Sequence, residues 1–287
     1  MQHLSCIHHL IEALREIKNH KKISRTFFAH PMSVQLAAII LTNNNSRHIS
    51  DCIASVSWAD HILVFDSGST DNTRDLALKA GAEVRINPFQ DFAQQRNDAL
   101  AAVDAEWVLF VDSDERVTPE LAVEIQQTLL NPKYSGYWIP RYNYIFHKLT
   151  RFTGWYPDYQ MRLLRRLEAH YDPERPVHEL VILKFSEDGY LKNHLIHYNY
   201  ENVKTFHEKQ RRYVELDAKM LFAEGIRPKI YTPYLQPFRH FKWRFFDLQG
   251  YRDGLHGLRL SLLMAWYEYC KYKRLRELWK ATEASIT

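Results

Sequence analysis

A chain of 287 residues with 38 Lys+Arg, 34 Asp+Glu, 46% hydrophobic and 25% charged residues has the composition of a folded globular protein. That excludes collagen-like, disordered and disulfide-framework classes, and the three scattered cysteines (Cys6, Cys52, Cys270) include no CxxC pair that would suggest a zinc knuckle. The net charge of +4 conceals an asymmetry, with 17 bases against 9 acids from Lys204 to Thr287 and 21 against 25 in the rest.

Residues Met1–Pro31 are polar and rich in His and Lys, and form an N-terminal extension ahead of the first strand. Leu4–Ile17 can make a short amphipathic helix but lacks the apolar core and cleavage site of a secretory leader, and Met32 is an alternative start. Leu36–Leu41 is a continuous apolar strand, followed by a polar turn (Thr42–Arg47) and a helix near Ile49–Val56. Ile62–Phe65 is a second strand, closed by Asp66-Ser67-Gly68-Ser69-Thr70-Asp71. A helix from about Asn72 to Ala80 is expected next, capped by Ser69 or Thr70 and stopped by Gly81. Glu83–Ile86 is a short strand, Phe92–Val103 a helix, and Trp107–Val111 a fourth strand ending at Asp112-Ser113-Asp114. Pro119 opens a further helix to Leu130. Apolar strands alternating with helices predict a doubly wound α/β body with a parallel sheet, whose ligands gather at the carboxyl ends of the strands.

After Asn131 the alternation stops. Tyr137–Tyr144 and Ile182–Tyr200 read as aromatic-rich strands, and from Val203 the chain is helical with a break at Gly225–Pro237. The expected organisation is therefore an extension (1–31), an α/β domain (32–202) and a basic, aromatic C-terminal helical region (203–287). No run reaches the roughly 18–20 apolar residues of a membrane span. A cytoplasmic protein is expected, peripheral at most to the membrane's inner face.

The acidic residues concentrate at strand ends. Asp112 and Asp114 stand one residue apart after an apolar strand, where two carboxylates repel unless a proton or cation sits between them. Hard oxygen ligands suit Mg²⁺ or Mn²⁺ shared with a substrate's phosphates. A dinucleotide fingerprint is missing after the first strand, where Thr42-Asn43-Asn44-Asn45 stands instead, and no P-loop occurs.

The ordered set Ala38-Ile39-Ile40-Leu41-Thr42, Val64-Phe65-Asp66-Ser67-Gly68-Ser69-Thr70-Asp71-Asn72-Thr73 and Val111-Asp112-Ser113-Asp114-Glu115 resembles the family 2 glycosyltransferases of GT-A fold. Gln95-Arg96-Asn97, Gly154–Asp158, Arg162–Arg165 and Val177-His178-Glu179 resemble the lipopolysaccharide-core β-glucosyltransferase branch. The resemblance implies a nucleotide-diphosphate sugar donor, a divalent metal and inversion at the anomeric carbon. It implies that Thr42 lies beside the nucleotide, that Asp66 accepts the base's imide N–H, and that Asp114, with Asp112 nearby, holds the metal. One departure is plain: the family's usual acidic pair after the first strand is replaced by Asn43-Asn44-Asn45.

Arg96 could add positive charge at the diphosphate or could be a surface helix residue. Glu179 is the first candidate for the base that deprotonates the acceptor hydroxyl, and Asp158 is its competitor. His194 and His197 should point to opposite faces of an extended segment, leaving His197 alone to complete a metal shell. Arg162 and Arg165 could bind phosphate or pair with Asp158 or Glu168. The basic, aromatic tail suits an anionic membrane surface, with nucleic acid not expected and simple packing against the body as the plain alternative. The acceptor is expected to be a glycan or lipid-linked sugar. A nucleotidyltransferase, and a non-catalytic glycan- or membrane-binding member of the fold, are the rival functions.

Overall fold

The computed structural model describes residues 36–174, 180–184 and 187–284. The Leu4–Ile17 helix, and the candidates His178 and Glu179, lie outside the described residues.

Strands β1 (Leu36–Thr42), β2 (His61–Asp66), β3 (Glu83–Ile86) and β4 (Trp107–Asp112) pair in parallel in the order β3-β2-β1-β4. β1 and β4 are buried nearly end to end, as unbroken apolar runs in a sheet covered on both faces must be. Helices α1 (Ile49–Ser55), α2 (Thr73–Lys79), α3 (Phe92–Ala101) and α4 (Pro119–Leu130) provide the cover. Asp91 caps α3 by accepting from Gln94 N–H, and Thr118 caps α4 by accepting from Leu121 N–H. The expected cap of α2 is different: Asn72 takes that position without a side-chain bond, while Asp71 accepts from Thr73 N–H. Ser69 and Thr70 instead bond Asn44 in the loop after β1.

The second half of the sheet is mixed rather than parallel. After β5 (Glu115–Val117) come β6 (Gly136–Ile145), β7 (Lys148–Thr150), β8 (Asp158–Arg165), β9 (Ala169–Tyr171), β10 (Val181–Leu183), β11 (Asp188–Tyr190) and β12 (Leu195–Tyr200). The sheet continues from β4 as β8-β6-β12-β5, with β8 antiparallel to both β4 and β6, and β12 parallel to β6. β5 was not legible in the sequence, being only three residues between a motif and a helix. It pairs antiparallel with β12 and sets Glu115 opposite His197.

Three helices follow: α5 (Val203–Ala223), α6 (Thr232–Lys242) and α7 (Gly254–Ala284), with a π-helical turn at Trp243–Asp247 and a 3₁₀ turn at Gly250–Asp253. Asn202 and Thr205 form a reciprocal capping box at the start of α5. These helices pack on the sheet through Ile145, Tyr200, Phe206, Leu260 and Tyr267, so the described residues beyond 35 share one compact unit. Gly257 allows the closest approach within that layer. A Cβ there would lie 1.9 Å from the Gly250 carbonyl oxygen.

Candidate active site

The loops after β1 and β2 are stitched together by their own side chains. Asn44, in the left-handed region at φ 50°, donates its N–H to Ser69 Oγ, and its Oδ1 accepts from Thr70 and Asp71. Asn45 N–H donates to Thr73 Oγ1, and Ser46 N–H to Asp71 Oδ2. The Thr73 hydroxyl draws the Asp71 carboxyl down to about 2. The asparagines that replace the family's acidic pair thus act as fasteners for the loop after β2. Gly68 turns that loop at φ 91°, a conformation that a side chain would strain.

Asp66, expected to receive the base, is fully buried within its own turn. Its Oδ2 accepts from Gly68 N–H and Ser69 N–H, and its Oδ1 accepts from the Ser69 hydroxyl. These three bonds hold the turn of the loop after β2. Thr42 does line the cleft, and its buried Oγ1 has no hydrogen-bond partner among the described residues. An orphaned buried hydroxyl facing a ligand space is a ready contact for that ligand.

That cleft has a volume of about 770 Å³, within the range of small-molecule sites. It is lined by Thr42, Asn43 and Ser67 from the loops after β1 and β2, by Arg96, Asp112 and Ser113, and by Trp138, Tyr159 and Gln160 of β6 and β8. Arg212 reaches it from α5, a residue that no motif in the chain marks.

Several of these residues belong to a chain of alternating charge. Arg96 Nη2 lies 3.2 Å from Asp112 Oδ1, and Arg162 Nη2 bonds Asp112 Oδ2. Arg162 also faces Glu115 Oε1 at 3.5 Å, which Arg141 Nη1 meets at 2.9 Å. Arg141 then grips Asp158 Oδ2 at 2.7 Å. Glu115 is fully buried at the centre and accepts from Asp112 N–H through its other oxygen. Burial alone would raise the Asp112 pKa, but Arg162 and then Arg96 hold it well below the usual carboxylate range. Arg96 is a buried residue of α3, only 5% exposed, which removes the surface-arginine alternative. Arg162 pairs with Asp112 and Glu115 rather than with Asp158 or Glu168, while Arg165 pairs with Glu106 and Glu168. Sequence reasoning missed Glu115 and Arg141 as site residues. Glu115 belongs to the Asp-Ser-Asp-Glu run, but nothing local marks Arg141 as its partner across 26 residues.

The metal candidates divide. Both Asp112 oxygens are taken by arginines. Asp114 instead faces His197, Oδ2 to Nε2 at 3.7 Å, longer than a hydrogen bond. The pairing of β5 with β12 puts them there, and Tyr198 N–H donates to the Asp114 carbonyl. Asn143 fixes the histidine: its Nδ2 donates to Trp155 O and Asp158 Oδ2, so its Oδ1 must accept from His197 Nδ1–H at 2.7 Å. That leaves Nε2 turned to Asp114, the orientation a metal-binding imidazole takes from such a partner. Burial pushes the Asp114 carboxyl up, yet His197 leaves it lower than usual, and so ionised. No group of three or more His, Cys, Asp or Glu among the described residues forms a complete metal cage. Asp114 and His197 fit a cation that takes its other ligands from phosphate and water.

His194 is separate from His197. It stacks on Tyr142 at 3.7 Å and meets the Tyr156 hydroxyl at 3.2 Å. Asp158 accepts from Arg141, Asn143 and Gln160. Burial raises its pKa, but Arg141 and these amides bring the net shift below the usual value, which makes it a weak base.

Residues 37–176, which hold the β1 threonine, the stitched Asp-Ser-Gly-Ser-Thr loop and the strand-end Asp-x-Asp, match the family described as Glycosyl transferase family 2. Residues 37–176 are a family 2 glycosyltransferase domain. Among the chain's relatives is the lipopolysaccharide core biosynthesis glycosyltransferase LpsC of Rhizobium meliloti, 26% identical over 82% of this chain and 89% of that protein. An uncharacterized glycosyltransferase of Rickettsia conorii, RC0292, is 26% identical over 86% of this chain and 91% of its own. The similarity to these glycosyltransferases therefore extends past the family match into the C-terminal helices. Glucosyl-3-phosphoglycerate synthase from Mycobacterium tuberculosis, solved with Mn²⁺, UDP-glucose and phosphoglyceric acid, aligns with a TM-score of 0.46 at 17% identity, covering 71% of this chain and 88% of that one.

Proposed function

We propose that this glycosyltransferase moves a sugar from a nucleotide-diphosphate donor, with inversion and with a divalent metal, Mg²⁺ or Mn²⁺, to a glycan or lipid-linked acceptor of the cell envelope. The observation that carries the reading is the pair Asp114–His197, with His197 oriented by Asn143 and Asp114 next in sequence to Asp112 and Ser113 of a cleft lined by Arg96, Arg141 and Arg162. Thr42 would contact the nucleotide through its unpartnered hydroxyl, and Arg96 and Arg162 would keep Asp112 rigid beneath the donor. A bound metal would neutralise charge developing on the leaving diphosphate. Trp138 and Tyr159 offer faces on which a sugar can stack.

Glu179 is the proposed base, because Asp158 is already committed to Arg141, Asn143 and Gln160. The name of the Rhizobium relative supports a lipopolysaccharide-core acceptor. Among the described residues no helix is long and apolar enough to cross a membrane, so a lipid-linked acceptor would be met at a surface.

The test is donor hydrolysis by the full-length protein across a panel of nucleotide sugars, with Mn²⁺ or with EDTA. The expected result is slow, metal-dependent release of free sugar from one donor class. Absence of both binding and hydrolysis for every donor would leave the non-catalytic reading standing. Pyrophosphate release instead of nucleoside diphosphate would favour the nucleotidyltransferase.

A further inference from the structure

Helix α6 is turned inside out relative to an ordinary surface helix. Its outward stripe carries Tyr231, Tyr234, Leu235 and Phe238, the last 76% exposed, while Pro233, Gln236, Pro237 and His240 face inward or to the flank. A soluble surface normally places its apolar stripe toward the core. The stripe continues past the helix to Trp243 and Phe246, both exposed. It also crosses to α7, where Tyr234 meets Tyr269 at 5.9 Å and Tyr269 stacks on the exposed Trp266.

Within the segment itself the charge has one sign, although Asp247 and Glu268 lie beside Arg239 and Lys242 at its flank. From Gly225 to Phe246 there are five bases (Arg227, Lys229, Arg239, Lys242, Arg244) and no acid. Arg244 is spent inward, donating to the Thr153 carbonyl, and burial lowers its pKa to about 10. Lys242 and Arg227 touch Asp247 and Glu283 at exposed positions, where such pairs hold weakly. Arg239 and Lys229 complete an exposed basic margin.

We propose that the outer face of α6, with Trp243, Phe246 and Trp266, docks on an anionic lipid bilayer. Tyr and Trp sit well at the headgroup level, Leu and Phe enter the acyl boundary, and a basic margin meets lipid phosphate. The acid-free run from Gly225 to Phe246 matches a uniformly negative surface, which favours lipid phosphate over a protein face of mixed charge. The inference does not rest on the glycosyltransfer reading, since no residue of this face lines the donor cleft.

The experiment is co-sedimentation of the full-length protein with vesicles of phosphatidylcholine alone, or of phosphatidylcholine and phosphatidylglycerol in equal parts. Wild type should bind the anionic vesicles, bind neutral ones weakly, and be released only in part by high salt, because salt screens the bases and not the aromatics. Leu235→Glu with Phe238→Glu, and separately Arg239→Glu with Lys242→Glu, should each weaken anionic-vesicle binding by at least about tenfold. All four positions are exposed, and an unchanged thermal midpoint and donor hydrolysis would establish that the variants fold. The proposal is overturned if wild type ignores anionic vesicles, or if both folded variants bind as wild type does. It is equally overturned if the face proves to join two copies, with wild type dimeric and the variants monomeric in solution. Tight binding to RNA in place of vesicles would also reject it.

Discussion

The strand-end loops of residues 42–73 and the helices of residues 203–284 use polar and aromatic residues in opposite ways. In the loops, the side chains of Ser69, Thr70, Asp71 and Thr73 bond the loop after β1, so the polar residues are structure as well as signature. In the helices, aromatics divide between a buried set (Phe206, Tyr267) and an exposed set (Phe238, Phe246), and only the folded molecule says which is which. The cleft nonetheless crosses the boundary between them, because Arg212 of α5 lines it beside Thr42 and Ser67.

The largest effect should come from Asp114→Ala, which removes the carboxylate facing His197 and so tests the loop-and-strand region by itself. Metal-dependent nucleotide binding should vanish, and turnover should fall by at least about a thousandfold, the scale of losing several kcal/mol of charge stabilisation. Undiminished turnover in this variant, or in excess EDTA, would refute the metal site. Next is Glu179→Gln, which should lower kcat by roughly 10²–10⁴ while donor binding stays intact. A wild-type rate there, beside a folded but inactive Asp158→Asn, would transfer the base to Asp158.

Arg212→Ala probes the crossing between the two regions. Its donor KM should rise by about tenfold, as expected when one charge-assisted hydrogen bond to phosphate is lost. An unchanged KM would restore a clean division at residue 202. The smallest effect concerns acid. Asp112, Asp114 and Asp158 all have folded-state pKa values below the ordinary 3.8. Groups depressed by folding contribute stability above their unfolded pKa and lose it as pH falls through the folded one. The thermal midpoint should therefore stay level down to about pH 5 and decline below about pH 4. A decline setting in between neutral pH and about pH 6 would assign acid sensitivity to other groups.

Much of the α/β body was legible because strands such as β1 and β4 are unbroken apolar runs and Pro119 marks a helix start, whereas the caps at Asp91 and Thr118 show only in the folded chain. Site placement was harder for a physical reason. Asp114 and His197 meet only because a three-residue strand pairs with one 80 residues later, and no local propensity encodes that pairing. Asp66 shows the converse: the motif marks the residue, but its carboxylate is consumed by the turn it belongs to. Arg141 and Arg212 carry no motif at all, and their meaning depends on which carboxylate or cleft they reach after folding.

The chain of alternating charge at the cleft has a consequence for how a donor arrives. Arg96, Arg141 and Arg162 are matched by Asp112, Glu115 and Asp158, so this set is electrically neutral before anything binds. A diphosphate approaching without a cation finds arginines whose fields are already cancelled, and gains little from them at a distance. Among the described residues, Arg212 on α5 stands outside that set, and in the proposed site a cation held by Asp114 and His197 would meet the remaining negative charge. Under the proposed metal-dependent reading, nucleotide and cation would enter together as a nearly neutral pair, and the paired residues would contribute shape and stiffness in place of attraction.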